Sequence, residues 1–344
     1  MKNRLPAIAV LALLFTVGRL LAADDSRAAF LKLIDRPRVA LAGEIAAPIS
    51  RDGLSEIAFS FATEAGQRVP GILMKTTASS GRRPAVIALH GTGGNKESQR
   101  AFLGELARAG FVGVAIDGRY HGARTKAGKE AKSTEYVEAI LRTFRTGKEH
   151  PFFFDTAWDV MRLIDYLGTR DDIDPRRIGL IGFSKGGIET YLAAAADPRV
   201  AVAVPCIGVQ SFRWAMENDS WQSRIGTVQK AFDTAAKESG VAQPGAAFVR
   251  TFYDRVALGI YGQFDGPAML PLIAPRPLLA INGEIDPRTP GPGLKECADA
   301  ARAAYQAAGA EEKFVLQVQP NTGHKVLPES MVLAREWFVR WLKP

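Results

Sequence analysis

Short apolar runs alternate with longer amphipathic segments along most of this chain. The runs 84–89 and 111–116 are almost continuously apolar, as expected of strands that are buried on both faces of a sheet. Between them, Phe102, Leu103 and Leu106 recur at the spacing of one helix face. This alternation favours an α/β fold in which helices cover both faces of a mostly parallel sheet.

The pattern also predicts the order of the elements. Two opening strands are joined by a turn at 64–66, and further strands alternate with helices up to the last residues. The final helix places Met331, Ala334, Phe338 and Trp341 on one stripe, which is typical of core packing. The predicted strands are 54–63, 68–75, 84–89, 111–116, 177–181, 200–204, 278–281 and 313–319, and the clearest helices are 155–167, 188–196 and 293–308.

Two long connections interrupt this rhythm. Residues 119–151 are polar and charged, whereas residues 207–271 contain nine aromatic residues. Connections of this length are usually functional or form helices of their own. The second one is predicted to be a lid over the site, with Phe212 and Trp214 as candidate pocket residues. The alternative is that its aromatic residues form a satellite core beneath a helical insertion.

The segment Gly182-Phe183-Ser184-Lys185-Gly186 has the form G-x-S-x-G. An apolar strand precedes it and a helical segment follows it, so Ser184 is placed on a sharp strand-to-helix turn. Such a turn exposes the serine hydroxyl at the end of the sheet, where it can act as a nucleophile. The alternative is an ordinary strand–helix turn with no chemical role.

A serine nucleophile needs a base, and the chain has four histidines. His324 lies in a polar turn after the last predicted strand, which makes it the preferred base. His90 precedes glycines and suits an oxyanion loop better, while His121 and His150 are weaker alternatives.

The group that orients the base should lie at the end of another strand, because parallel sheets build their sites there. Asp286 and Glu284 both follow the strand 278–281. Asp286 is the preferred acid and Glu284 the alternative. The order Ser184, Asp286, His324, each after a separate strand, distinguishes this set from simple turn residues.

Negative charge that develops on the substrate oxygen needs hydrogen-bond donors. The glycine-rich loop after strand 84–89 consists of His90, Gly91, Thr92, Gly93 and Gly94. The backbone N–H groups of Lys185 and Thr92 are the expected pair of donors. Phosphate binding by this loop is the alternative, but the chain lacks a Gly-Lys-Ser/Thr ending and the spacing of a dinucleotide fingerprint.

Composition and charge narrow the class of protein. The hydrophobic fraction of 47% and the charged fraction of 23% are those of a globular chain with a sizeable core. The net charge of +8 comes from scattered basic residues, so nucleic-acid binding is not expected. Cys206 and Cys297 are expected to be buried free thiols, although spacing alone leaves a disulfide open. No cluster of histidines and cysteines has metal-ligand spacing, so neither a metal nor a cofactor is expected.

The first residues have the layout of a secretory signal peptide. A basic start is followed by an apolar run at 5–17 and by small residues before Asp24. We expect residues 1–23 to be removed, residues 24–344 to form a single domain, and the mature protein to be exported to the periplasm or secreted, without stable membrane insertion. An uncleaved membrane anchor is the alternative.

From about residue 55 onward, the chain resembles the α/β-hydrolase superfamily. The resemblance rests on HGTGG at His90–Gly94, GFSKGG at Gly182–Gly187, GEID at Gly283–Asp286 and TGH at Thr322–His324. Residues 172–179 are similar to those of dienelactone hydrolases, acetyl xylan esterases and prolyl-oligopeptidase-type hydrolases. The resemblance implies an eight-stranded sheet and a Ser184–His324–Asp286 triad. A serine in place of the cysteine of dienelactone hydrolases proper argues against their activity.

The sequence therefore predicts an exported serine hydrolase that cleaves a small-molecule or carbohydrate ester through an acyl-enzyme. A peptidase or amidase on the same fold is the alternative, because ester and amide cleavage use the same nucleophile and intermediate. A non-catalytic binding protein that keeps only the fold is a further alternative. The preferred acyl group, the alcohol and the oligomeric state do not follow from the sequence.

Overall fold

The computed structural model describes residues 26–78, 80–126 and 134–343. Within these residues, ten strands form one mixed sheet. The strands are β1 (Glu44–Ile45), β2 (Ile49–Arg51), β3 (Leu54–Glu64), β4 (Gln67–Thr76), β5 (Arg83–Leu89), β6 (Val112–Ile116), β7 (Ile173–Phe183), β8 (Val200–Cys206), β9 (Leu278–Gly283) and β10 (Phe314–Gln319).

The sheet is parallel over most of its width. The order is β1-β3-β4-β6-β5-β7-β8-β9-β10, and β2 also pairs with β3. Strands β1 to β4 pair antiparallel with their neighbours, and so do β4 and β6, whereas every pair from β6 to β10 is parallel. Parallel strands end at the same edge, so the loops that follow β5, β7, β9 and β10 meet there.

Helices cover both faces of the sheet, which confirms the predicted α/β fold. The α-helices are α1 (26–34), α2 (Arg100–Arg108), α3 (Thr134–Thr146), α4 (Phe154–Gly168), α5 (Lys185–Ala196), α6 (Phe212–Glu217), α7 (Gln222–Ile225), α8 (Gln229–Glu238), α9 (Ala246–Val256), α10 (Gly266–Met269), α11 (Gly291–Ala307) and α12 (Pro328–Leu342). Short 3-10 helices cover Lys96–Gln99, Gly122–Arg124, Leu270–Ile273 and Glu311–Lys313.

Strand β5 shows why the apolar runs are continuous. Ala85, Ile87 and Leu89 pack in one core with helices α4 and α5, whereas Val86 and Ala88 pack in a second core with helices α2 and α12. Successive side chains of a strand point to opposite faces. A strand covered by helices on both faces therefore needs apolar residues at every position.

Several elements were not predicted from the sequence. Helix α1 buries Phe30 and Ile34 against the larger core, and α3 lies inside the connection that was expected to be polar. The predicted eight strands also omit β1 and β2, which have only two and three residues. These two strands are exposed and too short for a readable pattern.

The segment 207–271 is a helical insertion that contains α6 to α10. Its aromatic residues Phe232, Phe248 and Phe252 are buried in the larger core, and Phe248 and Phe252 contact Phe144 of α3. The satellite core, which was the alternative to a lid, is therefore continuous with the main core. A few residues of the insertion also line the cavity described below.

Two remaining expectations concern the thiols and the membrane. Cys206 and Cys297 are both buried free thiols. Among the described residues, none of the helices combines the length and the apolar character that crossing a membrane requires. The expected signal peptide at 1–23 lies outside the residues that the structure describes.

Candidate active site

Ser184 lies on a strained turn between β7 and α5. Its backbone angles are φ 57° and ψ −113°, in a region that non-glycine residues rarely adopt. A Cβ built on Gly182 or Gly186 would come closer than 3.0 Å to backbone atoms, so the turn closes only with glycine at both positions. The Ser184 N–H donates to the carbonyl oxygen of Cys206 at 2.9 Å, which fixes the turn against the end of β8.

Asp286 and His324 lie on the loops after β9 and β10. These two strands are parallel neighbours, and Gly283 at the end of β9 pairs in register with Gln319 at the end of β10. The Ile285 N–H donates to the carbonyl oxygen of Thr322 at 3.1 Å, which joins the two loops. The pairing register thus delivers both side chains to the same edge of the sheet as Ser184.

The three side chains form one hydrogen-bonded chain. Nε2 of His324 is 2.8 Å from Oγ of Ser184, and Nδ1 of His324 is 2.7 Å from Oδ2 of Asp286. A carboxylate accepts, so Nδ1 carries the proton and Nε2 is left to accept the proton of the serine hydroxyl. This is the arrangement that makes a serine nucleophilic.

Asp286 is held in its charged form. Burial alone would raise the pKa of its carboxyl group, but hydrogen bonds from His324, the Arg288 N–H and the Thr289 hydroxyl lower that pKa below the usual value. The Arg288 N–H donates to Oδ1 at 2.8 Å and the Thr289 hydroxyl donates to Oδ2 at 3.0 Å. These donors hold the carboxylate towards His324.

The alternative acid lies elsewhere. Glu284 is exposed, and its Oε2 accepts the backbone N–H of Asn321 at 2.8 Å. It therefore braces the turn that leads to His324, whereas Asp286 contacts the imidazole directly.

The other three histidines occupy different places. His90 and His121 are buried, and burial together with the nearby charge of Lys185 lowers the pKa of His90 to about 3 and that of His121 to about 2. His150 packs its ring against Phe154. The neutral, buried imidazoles of His90 and His121 are poorly suited to proton exchange with a substrate.

His90 shapes the glycine-rich loop. Its Nδ1 donates to the carbonyl oxygen of Gly91 at 2.8 Å, and its Nε2 accepts the N–H of Gly118 at 3.0 Å. The Gly94 N–H donates to the Gly91 carbonyl oxygen at 3.0 Å, and Gly93 has a positive φ of 78°. The loop therefore turns sharply beside the nucleophile.

This loop lies against the serine turn. A Cβ built on Gly91 would lie 3.5 Å from the Cβ of Ser184. Thr92, Ser184 and Lys185 line one cavity together with His324. The Lys185 N–H belongs to the first turn of α5, where N–H groups have no acceptor within the helix. The two residues that supply the predicted donors, Thr92 and Lys185, thus line the same cavity as Ser184.

The side chain of Lys185 has a role that sequence reasoning missed. It is buried, its Nζ donates to Oε1 of Glu189 at 2.6 Å, and it lies over the ring of Tyr136. Glu189 lies four residues later on α5, so the i, i+4 spacing of opposite charges was the signal in the sequence. The pair is buried in the first turns of the helix that follows Ser184.

The cavity beside Ser184 is built by several separate parts of the chain. Phe152 and Phe153 precede α4, Gln210 and Phe212 open the insertion, and further residues come from α7 and the Asp286 loop. Its lining consists of Thr92, Phe152, Phe153, Ser184, Lys185, Ile188, Ile207, Gly208, Gln210, Phe212, Ser223, Arg224, Thr227, Arg288 and His324.

The two candidate pocket residues of the insertion differ in position. Phe212 lines the cavity, whereas Trp214 is absent from its lining and lies against Gly293 at the start of α11. Phe212 and Trp214 are separated by one residue on the short helix α6, so their side chains point in different directions.

The described residues contain no group of three or more histidine, cysteine, aspartate or glutamate side chains that could hold a metal ion. The candidate chemistry rests on the hydroxyl, imidazole and carboxylate described above.

Comparison with known families identifies the relatives of this chain. The model of the family described as Glucuronyl esterase, fungi, matches residues 71–309. This match covers well over half of the chain. The chain belongs to this family. The glucuronyl esterase family is part of the α/β-hydrolase superfamily, so the predicted superfamily and the predicted enzyme class, a carboxylic-ester hydrolase, are both confirmed.

Individual relatives of this glucuronyl esterase family member are distant. The chain is 27% identical to the YtaP protein of Bacillus subtilis (strain 168), over 75% of this chain and 78% of the relative. It is 27% identical to a 4-O-methyl-glucuronoyl methylesterase of Neurospora crassa over 51% of this chain, a match that spans only 43% of the Neurospora enzyme.

A solved structure shares the fold. Acetyl xylan esterase 1 from Thermoanaerobacterium sp. JW/SL YS485 superimposes with a TM-score of 0.69 at 19% identity, over 93% of each chain. At this identity, the likeness concerns the fold alone.

Proposed function

We propose that this protein cleaves carbohydrate esters with Ser184 as nucleophile, His324 as base and Asp286 as the residue that orients the base. One observation carries the proposal: His324 lies within hydrogen-bond distance of both Ser184 Oγ, at 2.8 Å, and Asp286 Oδ2, at 2.7 Å. The three residues are far apart in sequence and follow three different strands, so the hydrogen-bonded chain forms only because those strands end at the same edge of the sheet.

The steps follow from this geometry. His324 takes the proton of the serine hydroxyl while Oγ attacks the ester carbonyl carbon, and Asp286 stabilises the imidazolium that forms. The N–H groups of Thr92 and Lys185 donate to the oxygen that becomes negative. Collapse of the intermediate transfers the proton from His324 to the departing alcohol. Water, activated by the same imidazole, then releases the acid from Ser184.

A carbohydrate ester is proposed because of the family and its members. The family description and the Neurospora relative both name glucuronoyl esters. The cavity lining also mixes aromatic rings with hydroxyl and amide groups, which suits a sugar better than an alkyl chain. In this proposal the insertion 207–271 is the lid that gives the pocket its shape.

The decisive test of the chemistry is Ser184→Ala, assayed on 4-nitrophenyl acetate and by labelling with a fluorophosphonate probe. We expect the rate to fall by at least about 10³-fold and labelling to vanish. Ser239→Ala, at an exposed serine that ends α8, is the matched control and should behave as the wild type. Substantial activity in Ser184→Ala would overturn the assignment. An aminoacyl 4-nitroanilide, assayed in parallel, separates an esterase from a peptidase.

The substrate class needs a separate test. Release of alcohol from benzyl glucuronate and of acetate from acetylated xylan should be measured with the wild type. Hydrolysis of either supports a carbohydrate esterase. Hydrolysis of neither, by an enzyme that still cleaves 4-nitrophenyl acetate, contradicts the proposed substrate class and leaves the triad standing.

We also propose that residues 1–23 are a signal peptide and that the mature enzyme is exported. The support is the basic start, the apolar run and the small residues before Asp24. Mass spectrometry of the protein from the periplasm or medium of a bacterial host should show a chain that begins at Ala23 or Asp24. A full-length chain that stays in the membrane fraction would point to an anchor.

A further inference from the structure

The cavity beside Ser184 is cationic. Among the described residues, its lining includes Lys185, Arg224 and Arg288 and contains neither aspartate nor glutamate. The charge of Lys185 is compensated by Glu189 at 2.6 Å. The positive charges of Arg224 and Arg288 in the cavity lining therefore need an explanation.

Arg224 is the more unusual of the two. It lies on the short helix α7 of the insertion and is only 4% exposed. Its Nε donates to Ser223 Oγ at 2.9 Å, but its buried Nη2 has no hydrogen-bond partner among the described residues. No carboxylate among the described residues forms an ion pair with Arg224. A buried charge without a partner is costly, so such groups usually serve a ligand.

The two carboxylates whose charges act on Arg224 are already engaged. Asp265 accepts four hydrogen bonds, from the hydroxyl of Ser211 and from three backbone N–H groups at 2.7–3.0 Å. Asp286 is held by His324, Thr289 and the Arg288 N–H. Both carboxylates act on Arg224 only through their electric field.

The guanidinium remains charged and fixed in place. Burial lowers the pKa of Arg224 to about 10, which still leaves the side chain protonated at neutral pH. Its central carbon lies 5.2 Å from the ring centre of Phe212, which lines the same cavity. Arg288, from the Asp286 loop, is exposed, and its closest described partner is the hydroxyl of Thr227 at 3.4 Å.

We propose that Arg224, assisted by Arg288, binds a carboxylate that the substrate carries in addition to the ester group that is cleaved. This inference rests on the proposed function, because it concerns the substrate of the same site. A planar guanidinium with a free N–H is well suited to a carboxylate. The substrate is then a half-ester or a partly esterified polyacid, and its second carboxylate selects it over neutral esters of the same size.

The experiment compares matched anionic and neutral esters. On the acyl side, the pair is mono-4-nitrophenyl glutarate and 4-nitrophenyl valerate. On the alcohol side, the pair is 4-acetoxybenzoate and 4-acetoxybenzamide. For each pair, the ratio of kcat/KM for the anionic ester to kcat/KM for the neutral ester is measured in the wild type, in Arg224→Gln and in Arg213→Gln. The ratio is insensitive to the fraction of folded enzyme, and its change from one variant to another is insensitive to the intrinsic reactivity of the two esters.

We expect Arg224→Gln to lower this ratio at least tenfold in one pair, which also tells which side of the ester bears the carboxylate. Arg213→Gln, at an exposed position of α6 outside the cavity lining, should leave the ratio unchanged. An unchanged ratio in both pairs, with 4-nitrophenyl acetate still hydrolysed, overturns the inference alone. Absence of hydrolysis and of fluorophosphonate labelling in the wild type overturns the proposed function as well.

A measurement on the wild type covers the case in which Arg224→Gln does not fold. Glutarate should inhibit hydrolysis of 4-nitrophenyl acetate at least tenfold more strongly than valerate does. The difference should shrink at high salt, because part of it is an interaction between charges. Equal inhibition by the two acids would contradict the proposal.

Discussion

Gly283 lies directly against Thr322, with no room between them for a side chain. A Cβ built on Gly283 would come closer than 3.0 Å to the carbonyl oxygens of Thr322 and Gly323. The end of β9 thus supports the turn that carries His324. The position of the proposed base depends on a glycine that takes no part in the chemistry.

Gly283→Ala should therefore impair catalysis more than folding. We expect kcat on 4-nitrophenyl acetate to fall about 10²-fold, because a misplacement of about 1 Å in a catalytic group has costs of this size. The Gly291→Ala variant is the control, since a Cβ built there meets no atom within 4 Å among the described residues beyond its own stretch of chain. It should keep wild-type kcat. Equal kcat values for the two variants would show that the turn carrying His324 accommodates the added methyl group.

Asp286→Asn should leave the fold intact and lower kcat by about 10⁴-fold. The amide cannot hold the imidazole in the required tautomer or stabilise its charged form. Glu284→Gln is the matched control, because Glu284 lies on the same loop and binds the Asn321 N–H instead of His324. We expect its kcat to stay within a few-fold of the wild type. If kcat fell further in Glu284→Gln than in Asp286→Asn, the roles of the two acids would be exchanged.

Lowering the pH should destabilise the folded protein because its buried histidines resist protonation. The pKa of His121 is lowered from 6.5 to about 2 in the folded chain, first by burial and then by the charge of Lys185. Between these values the unfolded chain binds one more proton at this site, so stability falls as the pH falls, by about 1.4 kcal/mol per pH unit. His90, whose pKa is lowered to about 3, acts in the same direction.

His121→Asn isolates one of these contributions. Asparagine can still donate to the Arg119 carbonyl oxygen, which His121 Nδ1 contacts at 2.7 Å, but it does not titrate. Urea unfolding at pH 6, 5 and 4 should give a shallower decline of the free energy of unfolding than in the wild type, by about 1.4 kcal/mol per unit. Parallel curves for the two proteins would mean that His121 is protonated in the folded state.

Lys185 and Glu189 should show strong coupling in stability. Both side chains are buried, and their charged ends are 2.6 Å apart. Glu189→Gln should cost about 3–5 kcal/mol, because it leaves the ammonium group buried without a countercharge. The double variant Lys185→Met, Glu189→Leu should recover much of this loss, since apolar replacement of a buried pair is often nearly neutral. Urea unfolding of the single and double variants measures the coupling, and strictly additive effects would contradict it.

Local chemistry made much of the fold predictable. The continuous apolar runs that became β5 and β6 could be read directly, because a strand buried on both faces has no polar positions. Gly182 and Gly186 marked the serine turn for a similar reason: backbone atoms approach so closely there that no side chain fits. Both constraints dictate the residue types of a short segment, even where distant residues make the contact, so they leave a signature in the sequence.

Elements whose sequence pattern is weak or spread over many residues could not be predicted. Helix α1 and helix α3 lie in segments without a sharp boundary signal, and β1 and β2 are too short to show alternation. Trp214 was grouped with Phe212 because both are aromatic, but only Phe212 lines the cavity. Which face of a short helix is covered depends on its neighbours in space.

The sequence by itself determined the alternation of strands and helices, the serine turn and the order in which the three candidate catalytic residues occur. Only the tertiary structure decided that Asp286, and not Glu284, contacts His324, and that Arg224 is buried beside Ser184 with no carboxylate paired to it among the described residues. The reason is physical: hydrophobic patterning and the residue types of a tight turn are set within a short segment, whereas hydrogen-bond distances and the burial of a charge depend on strand register and on how a distant insertion packs.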